Sequence, residues 1–382
     1  DEEVTASLAL ALAEGGNLAE SLDHRTEALS LCGEAVASAR VLPDRIEKAL
    51  AFALVGFGLG VLPFEESYGL YRQSLEIAQA KDDHWAAAAV NLVFADALSY
   101  VWDTSGVIAA SFDSAERIAL CRKSLAVFEA LGDRWRVAGC YAAMTHIARW
   151  AGDFAAAHEF SLRSMALYQE LGDRQTNVGI RFQMGLIAMD EGAYDEARSY
   201  FEADLGFLTE MGRRRQLASH LGCLGWVAYC QGQIERSETC HRRSLELYPQ
   251  LDDIGGTAMA LNSLGNIAGA RANYPEAERL YNEGAALADG IDYGWVSTIG
   301  HRNLGELALV LEDLPRAETE LRRALRTAIG LDNPGELLYT LSGWAGLLSR
   351  RGRAEDAAEL LALIARHRAT PPIVRQETGQ RL

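Results

Sequence analysis

The 382-residue chain is expected to fold as an all-α solenoid of αα-hairpins, each about 40 residues long, and three observations carry that expectation. Leu131-Gly132-Asp133, Leu171-Gly172-Asp173, Met211-Gly212, Leu251-Asp252-Asp253, Ile291-Asp292 and Leu331-Asp332 recur at that spacing. A second set, Gly152, Gly192, Gly232, Ala272, Glu312 and Gly352, falls midway. A third, Ala148, Ala188, Ala228, Ala268 and Ala308, repeats without a slip. A fixed period of this size marks units that bury their apolar faces on their neighbours rather than in one central core.

Within a period the apolar residues keep helical spacing, with no alternation of the strand type. Val178, Ile180, Met184, Ile187 and Ala188 predict a first helix, stopped at Gly192, where glycine takes the left-handed conformation cheaply. Tyr194, Ala197, Tyr200, Phe201, Leu205 and Leu208 predict a second, closed by Met211-Gly212. Towards the N-terminus the period breaks once. Ser74-Leu75 corresponds to Ser124-Leu125 at a spacing of 50, which places an insertion around Asp103–Phe112 in the bend of the third hairpin. Another long bend is expected at Gly15–His24, after a helix over Thr5–Ala13. Nine hairpins result, beginning near residues 1, 45, 84, 134, 174, 214, 254, 294 and 334, and together they make one domain over 1–369. The tail 370–382 opens with Thr370-Pro371-Pro372, cannot continue a helix, and is expected to fray or act as a linker. The two long bends share one edge of the array, and two readings stand for them: tolerated drift, or contact with a neighbouring domain or a ligand.

Composition narrows the function. The net charge is −17, and only three lysines occur (Lys48, Lys81, Lys123), with no basic run beyond Arg213-Arg214-Arg215. A nucleic-acid groove needs clustered cations against the phosphates, so direct nucleic-acid binding is not expected. No apolar run approaches a membrane span. Six scattered cysteines (Cys32, Cys121, Cys140, Cys223, Cys230, Cys240) make no Cys-x-x-Cys pair and read as small buried residues in a reducing, cytoplasmic setting. Because the sequence starts at Asp1 and close to a helix, it is read as a segment of a longer protein.

At Met184-Gly185, Gly192, Tyr194, Ala197 and Phe201 the residues resemble the tetratricopeptide repeat (TPR). That family's pattern is Leu-Gly, a turn Gly seven residues on, an aromatic two further, Ala after three and an aromatic after four. Leu264-Gly265, Ala272, Tyr274, Ala277 and Tyr281 match all but the turn Gly. Leu224-Gly225 and Leu304-Gly305 keep the pair but depart downstream at Ile234, Ser237 and Leu314. The resemblance implies a right-handed superhelix. The long unit, its Leu-Gly-Asp ending and Trp85, Trp135 and Trp295 at equivalent places look similar to the sensor arrays of bacterial signal-transduction ATPases (STAND) and maltose-type (MalT-like) transcription regulators. Those Trp residues are expected to wedge between successive hairpins.

No nucleotide-binding loop, Gly-x-Ser-x-Gly elbow or His-Glu-x-x-His is present, so no catalytic residue, metal site or cofactor is assigned. His220, Cys223, Cys230 and Cys240-His241 have spacings that helical packing also produces, and are read as packing rather than ligands. The acid pairs Glu65-Glu66, Asp82-Asp83 and Asp252-Asp253 are expected at helix starts, complementing the dipole. Resemblance places the first helix of each hairpin on the concave wall. Its exposed places would be Ala142 and His146, Phe182 and Leu186, Gly222 and Trp226, Asn262 and Asn266, and Arg302 and Glu306, with Arg149, Met189 and Tyr229 a turn further. The candidate groove residues are therefore His146, Arg149, Phe182, Trp226, Tyr229, Asn262, Asn266, Arg302 and Glu306. Two readings stand: Asn and Arg hold an extended ligand while Trp226 stacks on it, or Trp226 and Phe182 fill gaps and Arg302 pairs with Glu306.

The expected function is non-catalytic: sensing of a protein, peptide or small effector by an array whose curvature controls an ATPase or regulatory domain elsewhere in the same polypeptide. The alternative is a constitutive peptide-binding scaffold.

Overall fold

The computed structural model describes residues 2–21, 25–58, 64–97, 114–291, 293–331, 333–367 and 369–381. Among them it has nineteen α-helices and no strand. The first six are α1 (Glu2–Ser21), α2 (Arg25–Arg40), α3 (Ile46–Gly58), α4 (Phe64–Ala80), α5 (His84–Ala97) and α6 (Ser114–Leu131). Then a strict rhythm begins: α7 (Arg134–Trp150), α8 (Phe154–Glu170), α9 (Arg174–Asp190), α10 (Tyr194–Glu210), α11 (Arg214–Cys230) and α12 (Ile234–Leu247). It continues through α13 (Ile254–Ala270), α14 (Tyr274–Gly290), α15 (Gly294–Val310), α16 (Leu314–Gly330), α17 (Pro334–Arg350) and α18 (Ala354–Arg366), and the chain ends with α19 (Pro372–Arg381). Most of these helices have 17 residues and three-residue links, so two helices and two links make the repeat.

The links explain the glycine pattern. Gly192 sits at φ 79°, its N–H bonded to the Met189 carbonyl (3.1 Å), while the Ala193 N–H reaches Ala188 (2.8 Å). Those two bonds satisfy carbonyls that the ending helix leaves open. Ala272 (φ 56°) and Glu312 (φ 61°) hold the same conformation with a side chain. Ala272→Gly and Glu312→Gly are each expected to stabilise the fold by about 0.5–1 kcal/mol. This is the left-handed penalty of roughly 1–2 kcal/mol less the freedom that glycine adds to the unfolded chain. Urea midpoints rising with an unchanged m value would check it. Asp83 and Asp253 accept the N–H of Ala86 (2.8 Å) and Gly256 (2.7 Å), so these acids cap helices.

The Leu-Gly glycine also has a packing cause. A Cβ at Gly265 would meet the Tyr281 ring at 2.5 Å, and one at Gly185 the Phe201 ring at 2.6 Å. Each hairpin closes by pressing a ring of its second helix onto the bare backbone of its first. At Gly225 the ring is His241, and at Gly305 the space is filled by Leu321.

The chain divides into two compact units. The first holds the described residues as far as Ala148, together with Ala156–Ile180. Its core joins Ala6, Ala9 and Ala13 to Cys32, Ala35, Val36 and Phe52, and Tyr71 stacks on Phe94 at 3.8 Å. Indole N–H groups tie successive hairpins, Trp85 to Asp133 and Trp135 to Asp173, both at 3.1 Å. The bend expected at Gly15–His24 differs in the structure. Helix α1 runs through Gly15 and Gly16 to Ser21, and residues 22–24 lie outside the described residues. Packing of the alanine face outweighs the cost of glycine in a helix, roughly 0.5–1 kcal/mol each. The Asp103–Phe112 insertion also lies outside the described residues.

The second unit holds Arg149–Ala155 and the described residues from Arg181 onward. Its first helices form a continuous layer, α11 on α13, α13 on α15 and α15 on α17. The tail, expected to fray, is instead helical. Pro372 occupies the first position of α19, where a missing N–H costs nothing. Ala369 and Val374 are buried with Leu338 and Ile364. The same segment lies against the bends of earlier hairpins: Ala369 meets Gly152 and Pro372 meets Gly192. Among the described residues, the bends at Gly212 and Gly232 have no such neighbour.

Candidate ligand groove

The first helices of the second unit supply the wall. Each contacts its own second helix on one side and the next hairpin on another, leaving only a narrow face to solvent. On α11 that face includes the half-buried Gly222, Cys223, Trp226 and Tyr229. Trp226 and Tyr229, three residues apart and so on one side of the helix, stack with ring centroids 5.5 Å apart and planes at 17°.

Next to this aromatic step, on α13, Asn266 accepts the Tyr281 hydroxyl proton through Oδ1 (2.8 Å). Tyr229 packs into the same cluster as Tyr281, Leu261, Leu264 and Leu304. The Tyr281 hydroxyl is held neutral far above its usual range, first by burial and then by the nearby Glu306 carboxylate and Tyr229. On α15, Glu306 remains 36% exposed, and its carboxylate leans over the bare backbone of Gly343.

Arg302 and Asn262 were expected on the open wall, and the structure turns both inward. Arg302 is only 4% exposed. Its Nε faces Glu336 at 3.2 Å, its guanidinium lies 3.8 Å over the Tyr339 ring, and Glu306 approaches no closer than 3.7 Å. Burial pushes the Glu336 carboxyl up, although Arg302 and a hydrogen bond from Trp295 oppose that shift. Asn262 is 1% exposed, donates Nδ2 to the Ala258 carbonyl (3.1 Å), and fits against Gly284 of the second helix. For Arg302 the neighbouring helix α17 supplies partners that water would otherwise supply, whereas Asn262 turns back onto a carbonyl of its own helix. Phe182 packs on His220 (4.8 Å) and Phe201 (5.5 Å), which places it in the seam between α9, α10 and α11.

Arg149 pairs through Nε with Asp190 (2.8 Å), the last residue of α9. Burial raises the Asp190 carboxyl more than Arg149 lowers it, although 31% of the side chain is exposed, so the pair sits in a recess. Burial also pushes the neighbouring Cys223 thiol up to about 12, which leaves it inert as a nucleophile. Trp150 meets Trp295 edge-on at 6.1 Å. His146 belongs to the first unit.

Of the nine candidates, Tyr229, Asn266 and Glu306 gather around Tyr281, with Trp226 stacked on Tyr229, and Arg149 pairs with Asp190. Asp190, Glu336 and Tyr281 were missed. Asp190 and Glu336 stand at helix ends, where an acid reads as ordinary solvation, and Tyr281 reads as the repeat's own aromatic. Among the described residues no group of three or more His, Cys, Asp or Glu is arranged to hold a metal, and no helix is long and apolar enough to cross a membrane.

The model of the tetratricopeptide repeat matches residues 216–289, across α11 to α14. No curated protein matches the chain. Among solved structures, a Rap protein complexed with competence and sporulation factor is 12% identical over 100% of both chains, with a TM-score of 0.67. NprR in complex with its cognate peptide NprX is 14% identical, covering 93% of this chain and 96% of that one (TM-score 0.58). A STAND protein with a tetratricopeptide-repeat sensor, PH0952 from Pyrococcus horikoshii, is 14% identical over 86% of this chain, which spans 48% of that protein (TM-score 0.58). At such identities the likeness is one of fold. The chain folds as an all-α helical-repeat solenoid like these arrays, and the tetratricopeptide repeat itself is matched across α11 to α14.

Proposed function

We propose that this array is a non-catalytic sensor domain that binds a protein or a peptide on the wall of its second unit. The observation that carries the reading is the half-buried Trp226–Tyr229 stack, with Asn266 and Glu306 around the neighbouring Tyr281. Rigid aromatic area flanked by polar groups is what a peptide groove requires. The Rap and NprR structures, solved with competence and sporulation factor and with a cognate peptide, support the choice of ligand class, and the STAND sensor supports regulation of another domain in the same polypeptide. Direct contact with nucleic acid runs against the charge of −17. Binding would act through small changes in packing between hairpins, which add along a repeat stack. The second reading, a constitutive scaffold, differs only in lacking that change.

Thermal-shift screening with peptides, nucleotides and oligosaccharides tests the proposal. A peptide present at a hundredfold over its dissociation constant is expected to add about 2.7 kcal/mol of stability, and Trp226→Ala is expected to remove that gain. A response to nucleotides or sugars alone, or peptide binding untouched by Trp226→Ala, would overturn it. A scattering profile unchanged by bound peptide would favour the scaffold.

A further inference from the structure

Resting on that reading, we infer that the peptide carries a basic side chain, seated between the Glu306 carboxylate and the Trp226–Tyr229 aromatic step. The charges lining this wall do not cancel locally. Arg149 is matched by Asp190 at 2.8 Å, and Arg302 is matched by Glu336 at 3.2 Å while its flat face is covered by Tyr339. Glu306 is the acid left over: its approach to Arg302 is 3.7 Å, beyond a hydrogen bond, and 36% of its side chain is open to solvent.

The Glu306 carboxylate lies beside Gly343 on α17, where a Cβ would sit 3.4 Å from Oε1, an ordinary contact distance. Groups around it favour a cation. Tyr281, which shares its surroundings with Glu306 and Tyr229, gives its hydroxyl proton to Asn266 rather than to the carboxylate. Asn266 keeps its NH2 as a donor for a peptide carbonyl. The faces of Trp226 and Tyr229 attract a cation through their quadrupoles, more strongly once water is displaced. An acidic side chain there would meet Glu306 while the described arginines of this wall, Arg149 and Arg302, are already paired, and a net charge of −17 steers basic peptides towards the chain.

The test is a positional-scanning library of short peptides blocked at both ends, so that only side chains carry charge, applied to the whole chain. Retained peptides are expected to be enriched in Lys or Arg at one position. Glu306→Gln is expected to weaken the selected peptide by at least about tenfold, as for a partly desolvated pair that loses one member. Glu306→Asp, which keeps the charge, is expected to retain the preference. Peptides selected with neutral or acidic residues throughout, or a basic preference that survives Glu306→Gln, would overturn the inference and leave peptide binding standing. Retention of no peptide would overturn both. Were Glu306→Gln to melt early, salt would decide on the unmodified chain: affinity that falls with rising salt supports the pair, and salt-independent binding overturns it.

Discussion

Arg302→Ala is expected to lower the stability of the chain by about 3–5 kcal/mol, the usual cost of removing one member of a buried ion pair. The cause is what stays behind. Glu336 is 9% exposed and already has its carboxyl raised by burial, so without Arg302 it must either protonate or remain charged in a poor solvent. The Tyr339 face would also lose its guanidinium cover. Chemical unfolding at neutral pH measures the loss. A melting temperature within a degree or two of the parent would show that Arg302 is not the structural keystone of the α15–α17 seam. The double change Arg302→Met with Glu336→Leu is expected to recover much of the loss, since apolar replacement of a buried pair is often neutral.

His241→Phe is expected to stabilise the fold below neutral pH and to flatten its acid sensitivity. His241 is 3% exposed and presses on Gly225, and burial depresses its pKa to about 4 from the ordinary value near 6.5. The unfolded chain therefore takes up a proton near pH 6.5, while the folded chain resists until about 4. Stability is full above pH 6.5, declines as pH falls between these values, and levels off below them. The loss amounts to about 3 kcal/mol at roughly 1.4 kcal/mol per pKa unit. His220, lowered by burial although Gln216 and Asp204 oppose the shift, adds a decline of the same sign. Phenylalanine suits the site because Phe201 and Tyr281 fill the same place in neighbouring hairpins. Denaturant titrations at pH 7.5 and 5 compare the two chains, and an equal acid loss in both would refute the assignment.

Much of the fold was legible before any coordinates. The turn glycines, the capping acids at Asp83 and Asp253 and the Leu-Gly pairs all act locally, through backbone conformations or contacts within one hairpin. Less was legible at the ends. Gly15-Gly16 reads as a break, yet α1 continues, because tertiary burial of an alanine stripe outweighs local propensity. Thr370-Pro371-Pro372 reads as a linker, yet Pro372 starts a helix whose neighbours lie far away in sequence, at Gly152 and Gly192.

The groove was half legible for a similar reason. Arg302 and Glu306 stand one turn apart and look alike in sequence as candidates for the wall. Which of them is buried depends on Glu336 and Tyr339, at least thirty residues away. Within the regular repeats, period, helix boundaries and turn conformations follow from the sequence alone, because each is settled within a few neighbouring residues by sterics and hydrogen bonding. The direction in which each polar side chain of a first helix points is decided only by tertiary structure. Such a helix is apolar on most of its circumference, and burial of a charge is permitted or forbidden by partners that another hairpin brings.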